Sequence, residues 1–254
     1  MALLQEDEAS PVHVRRADGG SDFVIICDHA GRAIPRALGS LGVSDEVLAT
    51  HIAWDIGAAA VAEHLADRLD AELIVQRYSR LVIDCNRPLD APDSIVLQSG
   101  GVPIPGNQGL NRAAAEERAR TIFVPYHARI RGRLDERRRR GRRSILVAMH
   151  SFTPALLGDV RPWHAGILYL HDARLARPML EGLRAEPGLC VGDNQPYAAG
   201  ETTDYSIVEH GERRDLAHVE LEVRQDLIGD EAGQRAWAER LAGHLQRGAA
   251  TIFG

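Results

Sequence analysis

The sequence predicts a single α/β domain built around a mostly parallel β-sheet. Short apolar runs alternate with longer amphipathic stretches along the 254 residues, and no repeat, linker or low-complexity tract divides the chain. Strands separated by helices are typical of βαβ units, in which the strands run parallel. A chain of this length with 44% hydrophobic residues can bury a large core, so it needs no disulfides for stability.

The predicted elements follow one another in the order that such a fold needs. Strands are expected at residues 23–27, 72–76, 80–84, 144–149, 165–170 and 218–227. Helices are expected at residues 56–69, 110–123, 126–140, 173–185 and 230–248, with a break at Pro125 and an N-cap at Asp230. Residues 1–20 are expected to be a flexible arm. Segments 88–109 and 192–206 are rich in Gly, Pro, Asn and Asp and are expected to be functional loops.

The composition argues against several classes of partner. A net charge of −6 is unfavourable for binding nucleic acid, and the arginine run at 137–143 is expected to be a solvated helix end. All 30 basic residues are arginines, which excludes lysine chemistry. The N-terminal segment carries acids where a signal peptide or membrane span would be apolar, and the three cysteines are scattered. We therefore expect a cytoplasmic protein that binds neither nucleic acid nor membranes.

Polar residues directly follow three of the predicted strands. Asp28 and His29 come after the first apolar run, Asn86 and Arg87 follow the third, and His150 follows the fourth. In open parallel sheets, ligands bind beyond the carboxyl ends of the strands. The three strand ends therefore predict one common site.

Acidic residues that could complete this site lie in two other segments. Apolar and charged residues alternate in 218–227, which predicts a strand with Glu220 and Glu222 on one face. These carboxylates are ordinary surface charges on an exposed strand, but a strand inside the sheet would have to give them a partner or a function. Asp55 precedes a predicted helix, so it is either the helix N-cap or a functional acid.

Histidines at separate strand ends, together with a carboxylate, suit a catalytic zinc ion. Such sites use three protein ligands and leave a fourth position for water, whose pKa the metal lowers. A nearby carboxylate can accept the water's proton, and an arginine can hold a substrate carboxylate through paired hydrogen bonds. His29, His150, Asp55, Glu222 and Arg87 supply these parts, which predicts a metal-dependent hydrolase. The ligating atoms of a shared zinc must lie within about 5 Å of one another.

Eight short motifs then occur in an order that characterises one enzyme family. They are CDHAGRAIP, HIAWDIGA, RYSRLVIDCNRP, PIPGNQGL, HSFTP, GDNQPY, TTDYS and VELEVRQDLI. Together they resemble the N-formylglutamate amidohydrolase family, in its branch of predicted amidohydrolases, over residues 22–245. The resemblance implies a fold like that of zinc carboxypeptidases and aspartoacylase, a mixed, mostly parallel sheet flanked by helices. It also implies that residues 21–254 form a catalytic domain.

The resemblance implies metal ligands among the residues at the strand ends. Two histidines and one carboxylate hold zinc in these relatives, and they correspond here to His29, His150 and an acid. Carboxypeptidases have that acid three residues after the first histidine, where this chain has Arg32. Asp55 is the preferred acid because the family has an aspartate in the corresponding segment, and Asp28 is the alternative.

The remaining roles implied by the resemblance concern the substrate. Glu222 corresponds to the general base on a late strand, and Asn86 with Arg87 corresponds to the pair that binds the substrate's carboxylate. Arg80 and Tyr205 are expected to contact the substrate beside that pair. Residues expected to support the ligands from behind are Asp28, Ser151 and Glu220.

These inferences imply a zinc-dependent hydrolase that cleaves the linear amide of a small molecule, an N-formyl or other N-acyl amino acid. Two alternatives stay open at this point. One is a metallohydrolase of another amide or of a peptide, and the other is a non-catalytic ligand-binding protein on the same scaffold. A homo-oligomer is compatible with either.

Overall fold

The computed structural model describes residues 2–254, which form eleven strands and seven α-helices. The strands are β1 (Val12–Arg15), β2 (Phe23–Cys27), β3 (Glu72–Gln76), β4 (Gln98–Ser99), β5 (Val102–Pro103), β6 (Ile145–Phe152), β7 (Ala155–Leu156), β8 (Asp159–Val160), β9 (Ala165–Leu168), β10 (Val191–Asp193) and β11 (Ala217–Arg224). The helices are α1 (Asp45–Leu48), α2 (Ala58–Leu69), α3 (Arg112–Arg118), α4 (Val124–Arg139), α5 (Ala176–Arg184), α6 (Tyr205–His210) and α7 (Glu231–Phe253).

Seven of the strands form one mixed sheet in the order β1-β3-β2-β6-β11-β9-β10. The four strands β3, β2, β6 and β11 run parallel, whereas β1 and β9 pair antiparallel with β3 and β11. The predicted α/β domain with a mixed, mostly parallel sheet is confirmed. Because β11 lies between β6 and β9, its carboxylates belong to the interior of the sheet.

Apolar side chains cover both faces of this sheet. Ile25 and Val147 pack with α2, α5 and α7 on one face, whereas Ile26 and Ala148 pack with α4 on the other. Neighbouring residues of a strand point to opposite faces, so these continuous apolar runs require helices on both sides. Within residues 2–254, no helix combines the length and the apolar character that crossing a membrane requires.

The strand predicted at 80–84 is wrong. Residues 80–87 form successive turns, although the apolar side chains among them are buried. Ser79 shapes the first turn, because its Oγ accepts from the backbone N–H of Leu81 and its hydroxyl donates to the carbonyl of Ala53. Such bonds satisfy backbone groups that a strand would pair in a ladder. A short apolar run therefore indicated burial here but not an extended backbone.

Two other segments are more regular than the sequence predicted. Strand β1 lies within the expected arm at 1–20 and is hydrogen-bonded along β3, so this part of the segment belongs to the sheet. No helix break occurs at Pro125, because a π-helical turn, Ala119–Phe123, joins α3 to α4. Pro125 lies in the first turn of α4, where proline's missing N–H is best tolerated.

Arg137 corrects the prediction of a fully solvated arginine run. Its side chain is buried, and its guanidinium donates to the carbonyls of Ser21 and Arg143 and to the hydroxyl of Ser144. It thereby ties the end of α4 to the chain that enters β2. The arginines at 138–140 are exposed, as expected.

Candidate active site

A pocket of about 380 Å³ opens at the carboxyl edge of the parallel strands. Four buried residues from these strands line the pocket. His29 follows β2, His150 lies near the end of β6, and Glu220 and Glu222 project from β11. The remaining walls come from loops within 51–55, 80–100, 151–156 and 197–204. The pocket thus lies at the edge where open parallel sheets bind ligands.

His29, Asp55 and His150 converge inside this pocket. Nδ1 of His150 lies 2.8 Å from Oδ2 of Asp55, and Nδ1 of His29 lies 3.4 Å from the same oxygen. The backbone N–H of Asp55 also donates to the carbonyl of His29 at 3.0 Å, which joins the two segments. The three residues are buried, and their candidate ligand atoms all lie within 4.8 Å of one another. This spacing fits a shared metal ion with bonds of about 2 Å.

A second carboxylate orients each histidine at its other ring nitrogen. Nε2 of His29 donates to Oδ1 of Asp84 at 2.7 Å, and Nε2 of His150 donates to Oδ2 of Asp28 at 3.2 Å. Both Nδ1 atoms are therefore directed at Asp55. Metal-binding histidines are commonly held in this way by an outer carboxylate. Sequence reasoning missed Asp84, because it stood at the end of an apolar run that was interpreted as a strand.

The carboxylates, the arginine and the histidines of this cluster shift one another's pKa values. Burial would lower the pKa of His150, but Glu220 and the hydrogen bonds to Asp28 and Asp55 raise it well above its usual range. Burial would raise the pKa of Asp84, but Arg80 and His29 hold it well below its usual range. The low pKa of Asp84 and the raised pKa of His150 show that this cluster favours a positive charge at its histidines. A metal ion bound to both Nδ1 atoms would supply that charge in place of a proton.

Asp55 is not the cap of the helix that follows it, so that alternative is wrong. The N-cap of α2 is Gly57, whose φ is +80° and where a Cβ would lie 2.4 Å from the carbonyl oxygen of Ile228, so only glycine fits. Arg80 holds Asp55 on its outer side, with 3.6 Å between Nη1 and Oδ1. The same guanidinium donates to Oδ2 of Asp84 at 2.6 Å, so Arg80 connects two acids of the cluster.

Glu220 and Glu222 present two buried carboxylates to the pocket from β11. Glu222 is the register partner of His150 across the β6–β11 pair, whereas Glu220 pairs with Ala148. Burial, only partly offset by His150, raises the pKa of Glu222 to about 8, and Oε2 of Glu222 has no hydrogen-bond partner among residues 2–254. Oε2 of Glu220 lies 3.5 Å from Nδ2 of Asn86. Glu222 is therefore the glutamate of β11 that lies opposite His150 in the sheet, and its Oε2 is unpaired.

Asn86 and Arg87 connect the site to its long loops. Oδ1 of Asn86 accepts from the backbone N–H of Ser206 at 3.0 Å. Nε of Arg87 donates to Asp93 at 2.8 Å, and its Nη1 donates to the carbonyl of Thr203. Both residues line the pocket, and they hold the 88–109 and 192–206 segments against it.

The two tyrosines nearest the site have different surroundings from those expected. Tyr205 packs against the rings of Phe123 and His127 and does not line the pocket. Tyr197, which the sequence did not single out, lines the pocket instead. Ser151 also lines it, and its hydroxyl donates to the carbonyl of Ile56 at 2.8 Å, which fits a supporting role.

Comparison with known proteins identifies the class of enzyme. Residues 21–229 match the sequence profile of the N-formylglutamate amidohydrolase family. The chain belongs to this family. It is therefore a hydrolase that acts on an amide bond, in agreement with the resemblance seen in its motifs. A search of the curated proteins found no match.

Solved structures show the same fold along nearly the whole chain. The gene product Atu2144 from Agrobacterium tumefaciens is 37% identical, with a TM-score of 0.96 over 99% of this chain and 100% of that one. The N-formylglutamate amidohydrolase from Ralstonia eutropha JMP134 is 19% identical, with a TM-score of 0.74 over 96% of this chain and 99% of that one. The second likeness extends the shared fold to a more distant sequence.

Proposed function

We propose that the protein is a zinc-dependent amidohydrolase that cleaves the linear amide of an N-formyl or other N-acyl amino acid. The observation that carries the proposal is the convergence of His29, Asp55 and His150 in one pocket, with a carboxylate behind each histidine. Two imidazole nitrogens and a carboxylate form the ligand set of many catalytic zinc sites. The bound metal would polarise the scissile carbonyl and lower the pKa of water.

Glu222 is the general base in this proposal. It lies beside His150 on the neighbouring strand and has a carboxylate oxygen with no partner in the described chain. Burial favours its neutral form, and a cation nearby would favour the ionised form that accepts a proton from the attacking water. Glu222 would then donate that proton to the leaving amine, so that an N-formyl amino acid yields formate and the free amino acid.

The substrate's α-carboxylate would be bound by Asn86 and Arg87, with Arg80 beside them. Nη2 of Arg87 has no partner in the part of the chain that the structure describes, the Arg80 side chain is 26% exposed, and both residues line the pocket. Arginine presents these donors in a planar fork that matches a carboxylate. Binding the carboxylate at this end would direct the acyl group toward the histidines.

The test is formate release from N-formyl-L-glutamate before and after metal removal. We expect the chelated protein to be inactive and to recover activity when one zinc per chain is restored. Full activity in protein shown by elemental analysis to be metal-free would contradict the metal-dependent mechanism. A metal-dependent protein that cleaves another acyl amino acid instead would retain the mechanism and change only the substrate.

A further inference from the structure

Ser206 is a fully buried serine whose side chain and backbone contact two different parts of the site. It is the second residue of α6. Its hydroxyl donates to Oδ1 of Asp28 at 2.7 Å, whereas its backbone N–H donates to Oδ1 of Asn86 at 3.0 Å. Asp28 is the carboxylate behind His150, and Asn86 is proposed to bind the substrate. One residue is thus hydrogen-bonded both to the support of a metal ligand and to a substrate-binding side chain.

The hydroxyl of Ser206 completes the hydrogen bonds of a buried carboxylate. Asp28 is 1% exposed, and its other oxygen, Oδ2, accepts from Nε2 of His150 at 3.2 Å. A carboxylate that is held at both oxygens is restricted in rotation, so it fixes the imidazole ring that it contacts. Without the hydroxyl, Oδ1 of Asp28 would lose this hydrogen bond inside the protein, where an unpaired acceptor is costly. The orientation of His150 therefore depends on Ser206 through Asp28.

The carboxylate behind the other histidine is supported by a charged group. Asp84, behind His29, accepts from the guanidinium of Arg80 at 2.6 Å. At Asp28 the neutral hydroxyl of Ser206 takes the corresponding position. Hydrogen bonds with an ionised donor are roughly twice as strong as those between neutral groups. The Ser206 hydroxyl is thus the weaker of the two supports, and its removal is a measured perturbation of one histidine.

The contact of Ser206 with Asn86 does not involve the serine side chain. A backbone N–H can only donate, so its partner on Asn86 is Oδ1, which leaves Nδ2 directed at Oε2 of Glu220, 3.5 Å away. The backbone N–H of Tyr205 also donates to the carbonyl of Asn86, at 3.2 Å. Both bonds come from the backbone of α6, so they remain when the side chain at position 206 is changed.

We propose that Ser206 is a positioning residue that holds His150 in its metal-binding orientation through Asp28. This inference rests on the metal site of the proposed function and adds a residue on which that site depends. The Ser206 hydroxyl affects metal affinity and the catalytic step, and it leaves recognition of the substrate's carboxylate unchanged. Loss of such an outer partner typically weakens metal binding by about 10- to 100-fold.

The test measures zinc affinity by competition with a chromophoric chelator, and kcat and KM for N-formyl-L-glutamate at saturating zinc. Ser206→Ala removes the hydroxyl and should lower zinc affinity by about 10-fold. We expect kcat to fall while KM stays unchanged, which is the pattern of an interaction that matters in the transition state and not in substrate binding. Ser206→Thr keeps a hydroxyl and should bind zinc more tightly than Ser206→Ala.

A double mutant tests whether Ser206 acts through Asp28. In the Asp28→Ala background the Ser206 hydroxyl has no carboxylate to hold, so Ser206→Ala should lower zinc affinity no further. Ser144→Ala is the matched control. Ser144 is also buried, and its hydroxyl accepts from Nε of Arg137 at 3.0 Å just before β6 begins, at the end of that strand away from His150. We expect its zinc affinity to equal that of the wild type.

Three results would overturn the inference alone: wild-type zinc affinity in Ser206→Ala, equal affinities in the Ala and Thr variants, or a full loss that persists in the Asp28→Ala background. A raised KM with unchanged zinc affinity would also overturn it, because it would assign the Ser206 side chain to substrate binding. A wild-type protein that binds zinc but cleaves no N-acyl amino acid would instead remove the proposed function, and the zinc affinities would still decide the role of Ser206. A wild-type protein that binds no zinc would remove both.

Discussion

The molecule contains two buried histidine pairs that differ in almost everything except their spacing. The rings of His29 and His150 lie 5.0 Å apart at the pocket, and those of His127 in α4 and His210 in α6 lie 5.2 Å apart. The first pair is surrounded by three aspartates. The second packs against aromatic rings, including that of Phe123, and has no carboxylate partner in the described chain.

The hydrogen bonds of the second pair suit two neutral rings. Nε2 of His127 donates to the carbonyl of Cys85, so in the neutral ring Nδ1 accepts from Nε2 of His210 at 2.9 Å. Burial lowers the pKa of His127 to about 4, and burial with the neighbouring His127 lowers that of His210 well below its usual range. Burial acts on both pairs, so it is the surrounding carboxylates that raise the pKa of His150 and make the first pair suitable for a cation.

The largest expected difference between the two pairs is seen when one ring of each is removed. His150→Asn should lose the metal and reduce kcat/KM by roughly 10³-fold or more, because the bound metal contributes several kcal/mol to catalysis. His210→Asn should keep one zinc per chain, although it loses about 1–3 kcal/mol of stability with the buried hydrogen bond. Elemental analysis measures the zinc content of each variant, and formate release measures its kcat/KM. Metal retention in His150→Asn would contradict the assignment of the site.

A slightly smaller loss of activity should distinguish the two glutamates of β11. Glu222→Gln removes the general base and should lower kcat by about 10²- to 10⁴-fold while zinc content stays at one per chain. Glu220→Gln is the matched control, since it changes the same face of the strand two residues away. It should lower kcat by a smaller factor. Equal losses in the two variants would mean that the sheet register does not select the base.

The neutral pair should make stability depend on pH. Because the pKa of His127 is about 4 in the folded protein and 6.5 in a free histidine, the unfolded chain binds more protons between these values. Stability is therefore full above pH 6.5 and falls as the pH drops toward 4, by up to about 3 kcal/mol for this group. Urea titrations across this range should show a shallower fall in His127→Gln. An unchanged slope would contradict the neutral assignment.

The smallest effect concerns the carboxylate behind His29. Asp84→Asn preserves the shape of the hydrogen bond but removes its charge, so zinc affinity should fall by about 10- to 100-fold. Competition with a chromophoric chelator measures the change, and Asp93→Asn is a control that alters an aspartate on an exposed loop. Unchanged affinity in Asp84→Asn would mean that Asp84 only orients the ring.

The sequence predicted the architecture well where periodicity was strong. Alternation over 218–227 predicted β11, and the N-cap at Asp230 is confirmed by the hydrogen bond from the backbone N–H of Gly233 at 2.8 Å. The strand-end argument also brought forward His29 and His150, because polar groups at the ends of parallel strands meet at one edge of the sheet. Asp55, which lies in a loop, was selected by the family resemblance.

Loop residues escaped prediction because their contacts depend on tertiary structure. The apolar run before Asp84 is buried as a turn, so neither its conformation nor the side-chain direction followed from its hydrophobicity. Tyr205 and Tyr197 both belong to the segment that was predicted to be a loop, but Tyr205 begins α6 and packs against His127, whereas Tyr197 lines the pocket.

An anomalous difference map from a zinc-loaded crystal, recorded at the zinc absorption edge, would show directly where the metal binds. We predict one strong peak within about 2.0–2.2 Å of Nδ1 of His29, Nδ1 of His150 and Oδ2 of Asp55. A map without that peak in a fully active crystal, or with the zinc between His127 and His210 instead, would contradict a metal site at His29, Asp55 and His150.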